Sequence, residues 1–384
     1  MKKKVLIIIP TLEVGGTTSS LETFCRMLDN DYNITIAAIS FFGDNSKSFC
    51  EKMLPEDLLT SLYTSSFRTF SGINRLFALF FKMLTILCRF FKIEKLNELI
   101  FKRFIRKVEK TDEYDAIIAF QEGISTKVVS YSNIKKRIAW VHCDYRRVPE
   151  CGRESDIYSA FEKIVCVSEY TAGIFKKIYP TVSERVTCVY NPLDIEQIKL
   201  KASETADDVR FDNSLFTIVS VGRVSTVKRF EEIPKIAAYL RTRGCKFRWY
   251  VLGPIIQQNC YETLKNEITK YDVADLVVYL GNKNNPYPYM RDADVLVSVS
   301  KSEACPMIFN EAKILSLPIV STDFGSSYEF IEIEKNGYIS SLENIGEHIY
   351  KLYNDKDLYD SMKKCFTEHQ VSNSHIHAAI VDMI

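Results

Sequence analysis

The sequence predicts an α/β fold of two tandem, doubly wound parallel sheets facing across a cleft. Three observations carry this: strand-length apolar runs that are continuous rather than alternating, helical stretches between them, and a restart of the same rhythm past mid-chain. Continuous apolarity marks strands covered on both faces, as in parallel sheets between helix layers. A chain of 384 residues accommodates about two to three domains of ordinary size.

The first set of strands reads Val5–Ile9, Ile34–Ile39, Ala116–Phe120, Arg137–Val141, Ile164–Val167 and Val186–Tyr190. The start Met1-Lys-Lys-Lys has the basic outline of a leader. Its apolar run stops at Pro10, however, so it reads as the first buried strand. The second set follows Asn191-Pro-Leu-Asp194 and the polar stretch 201–213: Phe216–Val221, Trp249–Leu252, Val277–Leu280, Val295–Val299 and Ile319–Ser321. Helical segments 230–243 and 257–271 alternate with these strands. The expected organisation is a first domain over 1–192, a second over 193–365, and a segment 366–384 crossing back to the first. In such folds ligands lie beyond the carboxyl ends of the strands, which directs attention to the loops after Ile9, Val141, Val221 and Val299.

Segment 68–110 departs from this rhythm. It combines the apolar run 76–91 with eleven Lys or Arg against three Glu. Lys82 and Arg89 interrupt the run well short of the roughly 20 residues that a membrane span needs. Two readings remain: attachment to an anionic membrane surface, or a core helix pair with a solvated basic face.

Bulk composition excludes other classes. A net charge of +1 gives no reason to expect a nucleic-acid partner. The eleven cysteines are scattered singly without a C-x-x-C pair, so neither a zinc site nor a disulfide framework is implied, and a reduced, cytoplasmic chain is expected.

The residues with chemical potential fall at the sheet edges. In the loop Pro10–Ser20, Gly15 and Gly16 precede a helix expected near Thr17, where backbone N–H groups can approach a phosphate; a plain turn is the other reading. The spacing is not G-x-G-x-x-G, so a dinucleotide fingerprint is absent. His142, after the strand ending at Val141, is placed to meet a sugar hydroxyl or a phosphate, with Asp144 to orient it. Arg223 and Lys228 flank the loop after Val221, where a planar fork and a point charge can clamp a diphosphate. Glu303 and Glu311 lie around Pro306, which is expected to open a helix. One continuous helix would separate these carboxylates by roughly 12 Å, whereas a strand, loop and helix can turn both toward one cleft. Phe324-Gly-Ser326 offers Gly325 and Ser326 as further donors at the same edge. Asp292-Ala-Asp294 reads as turn chemistry before a buried strand rather than as a metal site.

Taken together, these motifs resemble glycosyltransferase family four, the retaining sugar-nucleotide transferases with a GT-B fold, especially those of bacterial surface-polysaccharide synthesis. The resemblance rests on Gly15-Gly16, Trp140-Val-His142, Tyr190–Asp194, Val221-Gly-Arg223 with Lys228, and the pair Glu303 and Glu311. It implies a Rossmann-like acceptor domain followed by a Rossmann-like donor domain. In that arrangement Arg223 and Lys228 neutralise the donor diphosphate and Glu311 holds the ribose. Glu303 lies near the transferred sugar, and backbone N–H groups around Ala304–Met307, those of Ala304, Cys305 and Met307 flanking Pro306, help to hold it and the phosphate. The Gly16 backbone and His142 approach from the first domain. Two positions depart from the family pattern: Ala304-Cys305 stands where many members have Gly-Phe, placing donor identity in question, and Lys228-Arg229 stands for Lys-Gly, read as an outer-loop change.

The implied activity is transfer of a hexosyl residue from a nucleotide sugar, UDP-linked, to a lipid-linked or growing polysaccharide acceptor. Neither metal nor cofactor is required, and the enzyme works in the cytoplasm, peripheral on the inner face of the cell membrane. The competing reading is a non-catalytic GT-B scaffold that partners an active transferase.

Overall fold

A computed structural model describes residues 2–12, 15–41, 63–64, 94–110, 112–206, 208–368 and 371–384. The chain divides into two compact units, Met1–Pro192 with Ser374–Ile384, and Leu193–Asn373.

The strands of the first unit are β1 (Lys3–Ile9), β2 (Tyr32–Ala38), the short β3 (Ser40–Phe41) and β4 (Tyr63–Thr64), β5 (Ala116–Ala119), β6 (Lys136–Val141), β7 (Lys163–Cys166) and β8 (Val186–Cys188). Six of them form one sheet in the order β2-β1-β5-β6-β7-β8, parallel throughout. Val5 through Ile9 are all essentially inaccessible, the double-sided burial that their unbroken apolarity requires. β3 and β4 pair separately.

The second unit holds β9 (Phe216–Val221), β10 (Phe247–Leu252), β11 (Val277–Gly281), β12 (Val295–Ser298), β13 (Ile319–Thr322) and β14 (Gly337–Ser340). Its order is β11-β10-β9-β12-β13-β14, again parallel. β14 has no counterpart in the sequence reading. Beneath this sheet the Trp249 indole N–H donates to Ser220 Oγ at 3.0 Å, and Ser220 donates to the Val297 carbonyl at 2.7 Å. These bonds satisfy the polar groups that the core would otherwise strand.

Each sheet has one point where strand order reverses: between β1 and β5 in the first unit, and between β9 and β12 in the second. Crossovers leave such a point in opposite directions and open a crevice at the carboxyl ends, where doubly wound folds bind ligands. The loops after β1 and β5, and those after β9 and β12, are thereby singled out by topology alone.

Two side chains tie down the chain near the unit boundary. Ser20 Oγ donates to Asn191 Oδ1 at 2.9 Å within the first unit. Within the second, Asn373 accepts from Leu193 N–H at 3.2 Å and donates to the Leu193 carbonyl at 2.6 Å. Helix Ser374–Met383 buries Ile376, Ile380 and Met383 in the first unit.

Of segment 68–110, residues 68–93 lie outside the described residues. The remainder is helix Glu94–Glu109, whose Phe104, Ile105 and Val108 join the first unit's core. That portion follows the core-helix reading. Among the described residues, no helix is long and apolar enough to cross a membrane.

Candidate functional site

In the second unit the reversal point brings together two loops, one after β9 and one after β12. Gly222 leaves β9 at φ 155°, and a Cβ there would lie 2.9 Å from Lys228 Cε. Glycine therefore lets the Lys228 stem lie across the backbone. Behind it Gly253, at φ 141°, approaches so closely that a Cβ would fall 1.8 Å from the Gly222 carbonyl oxygen. Lys228 Nζ reaches Glu303 Oε1 at 2.6 Å, both side chains about one-fifth exposed. Arg223 stands exposed on the same loop.

Glu311 lies on helix Met307–Ile314, in hydrogen-bond reach of the Tyr287 hydroxyl at 3.5 Å. Burial raises its carboxyl pKa to about 7; the Tyr287 hydroxyl and, more weakly, the Lys228 charge oppose the rise. Lys228 thus acts on both carboxylates. The Pro306 cap has extended geometry, φ −71° and ψ 93°, so the helix opens at Met307 rather than at Pro306. Ala304, Cys305 and Met307 are half-buried at this turn and Pro306 is buried. The first-turn N–H groups, which an α-helix leaves without intrahelical acceptors, point the positive end of the helix toward the loop.

In the first unit, Gly15 precedes helix Gly16–Leu28 in extended conformation, with open space where a Cβ would stand. Its carbonyl accepts from Ser19 N–H at 3.0 Å. His142 follows β6 with its ring against Phe120, centroids 5.1 Å apart. Burial lowers its pKa to about 3, against a smaller opposing effect of the Phe120 carbonyl. The imidazole is neutral, and its Nε2 is buried without a partner among the described residues. Glu122, in the loop after β5, accepts the His142 backbone N–H at 2.7 Å.

The structure thus gathers Lys228, Glu303 and Glu311 in one unit and places Gly15, Gly16 and His142 at the sheet edge of the other. Several expectations change. Asp144 does not orient His142; it caps the turn Tyr145–Arg147 and pairs with Arg146 at 2.6 Å. The Ser326 hydroxyl is spent on the Glu303 carbonyl at 2.7 Å and so braces the loop. Arg229 is not an outer-loop residue, because its guanidinium donates to the Val299 and Ser300 carbonyls at 2.8 and 3.1 Å. Asp292 and Asp294, by contrast, keep the structural roles read from the sequence: Asp294 accepts Thr217 N–H at 2.7 Å and Asp292 pairs with Arg291 at 2.6 Å. Sequence reasoning missed Tyr287 and Glu122, and it quoted Gly222 within Val221-Gly-Arg223 without giving that glycine a role of its own.

Residues 203–368 match the family model described as glycosyl transferases group 1. EpsF of Bacillus subtilis, a putative glycosyltransferase, is 28% identical over 146 residues, 36% of each chain. A 4-alpha-N-acetylgalactosaminyltransferase of Campylobacter jejuni, whose name includes a diphospho-undecaprenol-linked sugar, is 22% identical over 232 residues, 60% of each chain. These alignments span less than two thirds of either relative. Over the whole fold, the chain superposes on HepE of Anabaena, solved with UDP and glucose, at a TM-score of 0.73 and 15% identity, covering 99% of this chain and 98% of that one. The fold is GT-B.

Proposed function

We propose, for a chain with a group 1 glycosyl transferase match over residues 203–368 on a GT-B fold, that it is a retaining glycosyltransferase of surface-polysaccharide synthesis. It moves a hexosyl residue from a UDP-linked sugar to a lipid-linked or growing glycan acceptor, without a metal or other cofactor. The observation that carries this reading is the 2.6 Å contact of Lys228 with Glu303 at the β9/β12 reversal point, with Arg223 on the same loop and Glu311 on the following helix.

Breaking a glycosyl–phosphate bond leaves negative charge on the departing diphosphate. Arg223 and Lys228 meet that charge as preorganised cations, and the amino end of helix Met307–Ile314 adds its partial charge. Glu311 accepts from ribose hydroxyls, and Glu303 accepts from hydroxyls of the transferred sugar. For the first unit the proposed roles are sugar contact for His142, neutral and with its buried Nε2 unpartnered among the described residues, and phosphate contact for Gly15 and Gly16, both argued from their places at that unit's sheet edge. Retention follows when the acceptor enters on the face the diphosphate leaves, with a leaving phosphate oxygen taking the acceptor proton. Localisation at the inner face of the membrane is supported by the basic apolar composition of 68–110 and by the lipid-linked sugar in the Campylobacter relative's name.

A panel of UDP-sugars, with the product anomer determined by NMR, tests the proposal. Glu311→Ala and Lys228→Ala should each reduce transfer strongly, by about 10²-fold or more for Lys228→Ala, and unchanged rates in both would remove the site assignment. Absence of UDP binding at millimolar concentration, together with no transfer, would favour the non-catalytic scaffold.

A further inference from the structure

Arg229 has backbone angles of φ 50° and ψ 39°, a left-handed conformation that glycine adopts without strain and arginine does not. Conformation alone therefore asks for glycine; what arginine adds is its side chain. That side chain leaves the β9 loop one residue after Lys228 and forks onto the Val299 and Ser300 carbonyls, at 2.8 and 3.1 Å. Both acceptor residues are fully buried and lie just past the end of β12, in the strand exit that leads to Glu303. A backbone bond runs alongside, from Lys301 N–H to the Val227 carbonyl at 2.7 Å. The two loops that supply Lys228 and Glu303 are thus fastened together at their bases by one guanidinium and one amide.

We propose that Arg229 is a positioning residue that sets the spacing between the Lys228 loop and the Glu303 loop, and through it the affinity for a nucleoside diphosphate. The proposal rests on the donor-site reading above. A planar fork reaches two carbonyls at once; an ammonium, a single point, cannot reproduce it. Two charge-assisted bonds to buried carbonyls hold the left-handed backbone against its strain, as such conformations require.

The variants separate backbone from side chain. Arg229→Gly keeps the backbone conformation, relieves its strain and deletes the fork. Arg229→Ala deletes the fork and keeps the strain; Arg229→Lys keeps the charge without the fork. Hydrogen–deuterium exchange of the ligand-free protein, followed over peptides spanning 222–232 and 299–306, should show faster exchange in both for Arg229→Gly. Its melting temperature should exceed that of Arg229→Ala. Calorimetry with UDP should show affinity about tenfold weaker for Arg229→Gly, the order expected for losing hydrogen bonds from a charged donor, and not restored in Arg229→Lys.

Unchanged exchange over 299–306 would overturn the coupling, whether or not UDP binds. Faster exchange with wild-type UDP affinity would overturn its role in binding. Failure of the wild-type protein itself to bind any nucleoside diphosphate would strike the donor-site reading instead, and the exchange result would still decide the clamp.

Discussion

Replacing Glu311 with glutamine should stabilise the ligand-free protein and weaken its nucleotide binding. The fold raises the Glu311 carboxyl from 4.5 to about 7, chiefly by burial. A folded-state pKa above the unfolded one means that ionisation is resisted by the fold. The penalty is absent below pH 4.5, grows between 4.5 and 7, and is complete above 7. Its ceiling is about 3 kcal/mol, from roughly 1.36 kcal/mol per pKa unit. At about 2–4 °C per kcal/mol for a unit of this size, Glu311→Gln should raise the melting temperature by up to roughly 10 °C at pH 8. Near pH 4.5 it should change little. Thermal denaturation of both proteins across pH 4.5–8.5 reads the difference directly, and calorimetry with UDP at pH 8 reads the loss of affinity. A melting difference of the same size at pH 5 and pH 8 would refute the reasoning, since no titrating group could then be its source.

Other expectations follow from single contacts. Lys228→Ala removes the counter-charge 2.6 Å from Glu303, and steady-state kinetics should show transfer reduced by about 10²-fold or more, the scale of losing one preorganised donor at a leaving charge. His142, held neutral with a pKa near 3, should keep constant imidazole NMR shifts from pH 8 down to 5. Its unfolded form protonates near 6.5, so it withdraws stability as pH falls below that value. Gly253→Ala would thrust a methyl to 1.8 Å from the Gly222 carbonyl, and chemical denaturation should register at least about 3 kcal/mol of destabilisation or no soluble protein. Asp294→Asn weakens the acceptor for Thr217 N–H, so it should cost about 1 kcal/mol in chemical denaturation.

The parallel sheets were legible because burial on both faces writes itself as unbroken apolar runs, as at Val5–Ile9. β14, Gly337-Tyr-Ile-Ser340, escaped because an edge strand with a polar end carries no such run. Arg223, Lys228, Glu303 and Glu311 could be picked out by residue type and position at strand ends. Their partners could not: Tyr287 reaches Glu311 from a different helix, and Arg229 binds carbonyls 70 and 71 residues away. The left-handed backbone of Arg229 is invisible in a sequence, where an arginine beside a lysine reads as surface charge. His142 was placed correctly at a sheet edge, yet its neutrality depends on burial, which local pattern does not encode.

The chain visits its first unit twice, before residue 193 and again from Ser374. During synthesis the second unit, continuous in sequence, emerges whole before the helix that completes the first. Ile376, Ile380 and Met383 fill apolar sites in that unit, so those sites stay uncovered while some 180 intervening residues are made. In chain order, therefore, the unit begun first is the one completed last.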